Sequence, residues 1–137
     1  MAKLTIDEPA LQSVVMGRLE VFAREFVDAA SSAARAAAPV RTGELKGSIR
    51  PQEVRRTGPW RLETGVAAVA AHAVYVHEGT RPHVIRPRNA RALRFEAGGR
   101  IVFAKRANHP GQRAQPFLAE AVRRTAEADS RIGHHGV

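Results

Sequence analysis

The chain has 137 residues, enough for one domain with a modest core and no covalent staples. It contains no cysteine, which excludes disulfides and thiolate metal sites, and no apolar run near the roughly 20 residues of a membrane span. Its formal charge is +9, and 19 of its 22 basic residues are arginine, the side chain that grips phosphate and carboxylate with a planar fork.

The charge is unevenly placed. Residues 1–40 carry net −1, residues 41–113 net +10, and residues 114–137 net zero. The middle segment therefore reads as a surface facing nucleic acid or an acidic protein. A solvated, arginine-rich face is the plainer alternative. The opening residues, with Lys3, Asp7 and Glu8, do not read as a signal peptide, so a soluble chain made inside the cell is expected.

In chain order, residues 8–38 read as one long amphipathic helix, on the order of 45 Å at 1.5 Å per residue. Leu11, Val15, Leu19, Phe22, Phe26, Ala30, Ala33 and Ala37 recur every three or four positions and form one stripe. Thr5 and Glu8 have capping-box spacing, Asp7 is a second candidate start, and Pro39 ends the element. Residues 29–38 are nearly all small, so that end calls for a sheet or a neighbouring subunit at close approach.

Residues 39–49 form a loop or a brief helical turn. Residues 48–56 read as an edge strand because of Pro51. Thr57, Gly58 and Pro59 turn the chain into an antiparallel partner with Trp60, Leu62, Thr64 and Val66 on one face. Residues 67–78 suit either a short helix or a strand. Residues 81–88 are extended and basic between prolines. Residues 92–95 and 100–103 alternate around Glu96-Ala97-Gly98-Gly99, a hairpin in which Leu93, Phe95, Ile101 and Phe103 are expected to share a buried face. Residues 105–116 read as a loop. Pro116 then opens a last helix with Phe117, Leu118, Ala121, Val122 and Thr125 on its apolar side. The expected class is α+β: a long N-terminal helix, an antiparallel sheet with a basic β-hairpin, and a short C-terminal helix. A single domain over residues 1–130 with a disordered tail, 131–137, is expected.

No catalytic constellation emerges. His72, His77 and His83 are spaced by five and six, which does not gather them on a helix face, and His134 and His135 lie in the tail. His77-Glu78 lacks the second histidine of a zincin. No nucleophile elbow, phosphate-binding loop or paired-carboxylate site is present. The expectation is no enzyme, no cofactor and no metal. Helix-turn-helix, zinc-finger and RNP-type signals are likewise missing, so any contact with DNA is expected through phosphates and without sequence preference.

Three elements resemble a known family. Pro39-Val40-Arg41-Thr42-Gly43-Glu44-Leu45 with Ser48-Ile49 resembles the P-x-x-T-G-x-L-x-x-S-I element of the tail-completion (head–tail joining) proteins of long-tailed bacteriophages. Tyr75-Val76-His77-Glu78-Gly79-Thr80 resembles their Y-V-E-x-G-T element with the glutamate shifted by one residue. Pro116-Phe117-Leu118 with Ala121 resembles their R-P-F-L-x-x-A element, with Gln115 where arginine is frequent.

The resemblance spans residues 8–128. It implies a structural virion protein of the phage neck, in a ring usually of six copies between the capsid connector or stopper and the tail tube. Such rings form when a heterologous contact closes by rotation. In that family Thr42, Gly43, Tyr75, Gly79, Pro116 and Phe117 act as fold signatures. The implied location is the virion neck or tail, after assembly in the host cytoplasm, with no membrane. Arg86, Arg88, Arg91 and Arg94 are the candidates for contact with a DNA-filled lumen or with a neighbouring subunit. Two other readings suit the same residues: a tail terminator or minor capsid component, and a small basic protein that binds nucleic acid without sequence preference.

Overall fold

The computed structural model describes residues 2–41 and 43–132. Thr42, His134 and His135 therefore lie outside the described residues, as does the tail from residue 133. The chain is α+β, with a long N-terminal helix, paired antiparallel strands and a short C-terminal helix. It groups into two compact units: the first runs to Ala73 and resumes at Pro116, and the second is Val74–Gln115.

The first unit begins with helix α1, Glu8–Ala37. Of the two candidate starts, Asp7 is the cap: its side chain accepts the Ala10 N–H at 3.2 Å, and Pro9 sits in the first turn, where its missing N–H costs nothing. Ala38 turns extended at ψ 132°, as a residue before proline must. Replacing Asp7 with alanine should cost about 1 kcal/mol, seen as faster amide exchange confined to the first turn of α1.

The buried line of α1 is Met16, Val27, Ala30, Ser31 and Ala34. This corrects the expected stripe at its ends: Leu11 is 47% exposed and Val15 40%, and Ala37 is exposed as well, while Leu19, Phe22, Phe26 and Ala33 are half-buried and Ala30 is buried. Met16 lies about 140° around the helix from Leu11. The helix is apolar on two sides in its first half, so spacing alone does not choose the inward one. Met16 borders a cleft with Val54 and Leu62, while the alanine-rich half packs where α1 meets helix α4, Phe117–Ala128. Ala30 and Ala34 are fully buried, so backbones approach closely there, as the run of small residues led one to expect. Phe117 and Ala121 of α4 complete that contact layer, and Ser31 satisfies its hydroxyl on the Val27 carbonyl at 2.7 Å.

Helix α2, Glu44–Ser48, places Leu45 in the core and leads into strand β1, Ile49–Pro51. Ile49 is wholly buried. Its carbonyl accepts two hydrogen bonds from the Arg35 guanidinium, at 3.1 and 3.3 Å, tying the end of α1 to β1. β1 pairs antiparallel with β4, Val66–Ala68. Beyond it β2, Arg55–Gly58, pairs with β3, Arg61–Glu63. The expected strand over 48–56 is thus split between Pro51 and Arg55, and the Gln52 N–H reaches the Gly65 carbonyl at 2.7 Å across the interruption.

Helix α3, Ala73–Glu78, leads into the second unit, so the ambiguous residues 67–78 hold the end of a strand and then a helix. Strand β5, His83–Ile85, pairs with β8, Ala107–His109, inside the segment expected to be a loop. Ala107-Asn108-His109 has weak strand propensity; its pairing with β5 creates the strand.

The hairpin of β6, Leu93–Ala97, and β7, Arg100–Ala104, forms as expected but in another register. Phe95 faces Val102 and Arg94 faces Phe103. The loop is the two residues Gly98 and Gly99, at φ 59° and 76°, the positive values of a tight hairpin turn. Leu93 and Phe95 therefore share one face with Val102, while Ile101 and Phe103 lie on the other. Neither face is buried: Phe95, Ile101, Val102 and Phe103 are 39, 55, 36 and 66% exposed.

Candidate interaction surface

Val74–Gln115 contains nine basic side chains and two acidic ones, Glu78 and Glu96, so +7 of the net +9 sits there. All nine cations are exposed, and among the described residues none forms an ion pair. The ion pairs of the first unit, such as Arg24–Glu20 and Arg123–Glu127, leave its surface nearly balanced. Sequence thus concentrates positive charge in the unit least able to neutralise it internally.

Arg86, Arg88 and Arg91 sit on the connector between β5 and β6, and Arg94 on β6 opposite Phe103. These four candidates are therefore neighbours along one exposed stretch. Arg81, Arg100, Lys105, Arg106 and Arg113 share their exposure and their lack of an ion pair. The proline-bounded run drew attention to four of a larger set, whose extent was already written in the charge of residues 41–113.

Core content sets the second unit apart. Val76 is its sole buried hydrophobic side chain among the described residues. A unit of this size cannot be held by so small a core. Backbone bonding holds it instead: two ladders, and a reciprocal bridge in which Thr80 and Gln112 exchange N–H···O bonds at 2.9 Å. Gly79 and Gly111 flank that bridge at φ 77° and 84°. The Gln115 N–H closes the unit on the Val76 carbonyl at 2.9 Å.

An open cleft of about 640 Å³ lies beside the bridge, lined among others by Tyr75, Thr80, Arg81, His83, His109 and Gln112. The β5–β8 register places His83 against His109, with ring centroids 4.9 Å apart and planes 25° from parallel. His83 Nδ1 lies 2.8 Å from the Arg81 carbonyl and so carries the proton of that bond. His109 Nδ1 accepts the Gly111 N–H at 3.0 Å, so the proton of its neutral ring sits on Nε2. Sequence reasoning missed this pair, since the two histidines lie in segments joined only by strand pairing.

The remaining marked residues are dispersed. Gly43 adopts the left-handed conformation, φ 81°, before α2. Tyr75 is 58% exposed and lines the cleft, while its neighbour Val76 takes the buried position. Pro116 is the residue before α4, and Phe117 is buried. His72 is exposed, and His77 lies on α3. Among the described residues no three histidine, aspartate or glutamate side chains gather as a metal set would.

The perturbed ionisable groups are structural. Hydrogen bonds from the Arg131 guanidinium, through Nε and Nη2, and from the Arg131 backbone N–H hold the Asp129 carboxyl below its ordinary range. Asp129 and then Glu25 raise the Arg131 guanidinium in return. Arg131 also stacks over the Phe22 ring, 4.5 Å from its centroid, which fastens the segment after α4 to α1. Asp129 titrates with its folded value depressed. The stabilisation it brings is present above its ordinary pKa and fades as pH falls through the folded value.

No helix among the described residues is long and apolar enough to cross a membrane. No family model, curated protein or solved structure matches the chain.

Proposed function

We propose that the chain is a structural subunit of a bacteriophage neck, one of six copies in a closed ring as the family resemblance implies, that joins the capsid connector to the tail tube and transforms no substrate. One observation carries this reading: the second unit buries a single hydrophobic side chain yet displays Phe95, Ile101, Val102 and Phe103 on the two faces of its hairpin. Such a ribbon gains its remaining stability by covering those faces with another chain. The exposed apolar side of α1, with Leu11, Val14 and Val21, offers a second surface of the same kind. The order of the three sequence elements supports the assignment to the neck.

The test is assembly. The double variant Ile101→Ser, Phe103→Ser should change the unfolding midpoint little, within about 0.5 kcal/mol for exposed positions. It should abolish ring formation, read by light scattering and by electron microscopy of particles, which would accumulate as filled heads without tails. Assembly of normal particles from the double variant would refute the reading. Tail terminator and minor capsid component are variants of the same structural role, separated by where the subunit is seen in the particle.

A second reading rests on the nine unpaired cations: a small basic protein that binds nucleic acid through its phosphates. It requires DNA affinity to fall steeply with salt, with a logarithmic slope of about −0.9 per phosphate neutralised.

A further inference from the structure

We propose that the cleft beside the Thr80–Gln112 bridge is a phosphate-binding site that grips the backbone of a nucleic acid. The proposal rests on reading the second unit as a surface that faces DNA, and it does not require the ring.

The lining chemistry is one-sided. Arg81 supplies a guanidinium, Gln112 an amide, and Tyr75 and Thr80 hydroxyls. None of the four side chains has a hydrogen-bond partner among the described residues. No lining residue is acidic. The backbone groups of Thr80 and Gln112 are already spent on one another, so their side chains stay available without loosening the strands. The bond from Gly111 leaves Nε2 of His109 as that ring's donor. The bond from His83 to the Arg81 carbonyl, with the ring stacked on His109, fixes the segment that carries the guanidinium.

A site of donors with one fixed cation and no carboxylate selects an anion. The surrounding charge of +7 raises the local concentration of a polyanion. The volume exceeds what a single phosphate needs, and the Tyr75 ring and Ile85 supply an apolar wall on which a sugar or base can rest. Those features together favour a phosphodiester chain over a simple ion.

Full-length protein is titrated with inorganic phosphate by amide NMR, and with a fluorescent duplex DNA of mixed sequence by anisotropy. The variants are Arg81→Gln, Tyr75→Phe and, as an equal-charge control at the hairpin tip, Arg100→Gln. Phosphate is expected to shift the amides of Thr80, Arg81, Gly111 and Gln112 first. Arg81→Gln is expected to weaken DNA binding about tenfold and to reduce the salt slope by about 1, Tyr75→Phe a few-fold, and the control by about twofold at most. Equal losses for Arg81→Gln and Arg100→Gln, or phosphate shifts spread evenly over the basic surface, would overturn the site in favour of diffuse attraction. Wild-type protein that assembles normally while its cleft ignores phosphate would end this proposal and leave the neck reading standing. Phosphate bound at the cleft by protein that never assembles would uphold the site and count against the neck.

Discussion

Replacing Gly111 with alanine is expected to unravel the second unit while the first stays folded. An added Cβ would overlap the Thr80 carbonyl oxygen and lie 2.8 Å from the Arg81 carbonyl carbon and 2.9 Å from the Pro82 nitrogen. All three are backbone atoms, so no rotamer change relieves the clash. The residue also holds φ 84°, which alanine adopts only at a cost. Gly79→Ala meets the backbone beyond the bridge in the same way, 2.6 Å from the Gln112 oxygen and 2.7 Å from the Ala114 nitrogen. Either change should remove about 3 kcal/mol or more of local stability. Because Val76 is the one buried apolar anchor there, nothing compensates. Hydrogen exchange should show residues 80–113 losing protection and α1 keeping it. Gly98→Ala is the control: its φ is also positive, but a Cβ there meets nothing within 4 Å, so the cost should stay near 1 kcal/mol. Equal effects from Gly98→Ala and Gly111→Ala would show that backbone conformation alone matters and that the close crossing does not.

Truncating Phe117 to alanine should have the largest effect on the first unit. The side chain is 3% exposed at the start of α4, against the small-residue half of α1. Alanines cannot move in to fill the space, so the cavity persists and the loss should reach about 3–5 kcal/mol. That is a large share of the roughly 5–15 kcal/mol that holds a domain of this size together. Urea unfolding followed by helical circular dichroism measures it. The reverse change, Ala34→Leu, tests the same layer by overfilling it and should cost about 1–3 kcal/mol. A midpoint unchanged by Phe117→Ala would mean that α4 is not part of the core.

Local rules were enough for the two longer helices, α1 and α4. Asp7, Pro9 and Pro39 bracket α1, and Pro116 precedes α4, because caps and prolines act within a turn of where they sit. They were insufficient wherever a partner decides. Periodicity identified α1 as amphipathic but not which side turns inward, since Leu11 and Val15 repeat as regularly as the line that Met16 joins. A shared face for Leu93, Phe95, Ile101 and Phe103 needs a turn of three residues; the two-residue Gly98-Gly99 turn pairs Phe95 with Val102 and so puts Ile101 and Phe103 on the opposite face. Strand β8 and the His83–His109 pair arise from contacts between segments that are distant in sequence, and no spacing rule reaches them. The charge of the second unit was legible as a count. That its cations lack carboxylate partners was not.

The β6–β7 ribbon pairs with no third strand among the described residues, so both of its outer edges offer unmet amide and carbonyl groups beside exposed phenylalanines. Edges of that sort recruit one another unless something holds them apart. Here the keepers are Arg94, Arg100 and Lys105, which make two approaching ribbons repel. Repulsion of this type is muted once the screening length drops to about 10 Å near 0.1 M salt. Purified protein should therefore stay dispersed in dilute buffer and clump as electrolyte is added, the reverse of the usual advice for handling a basic protein.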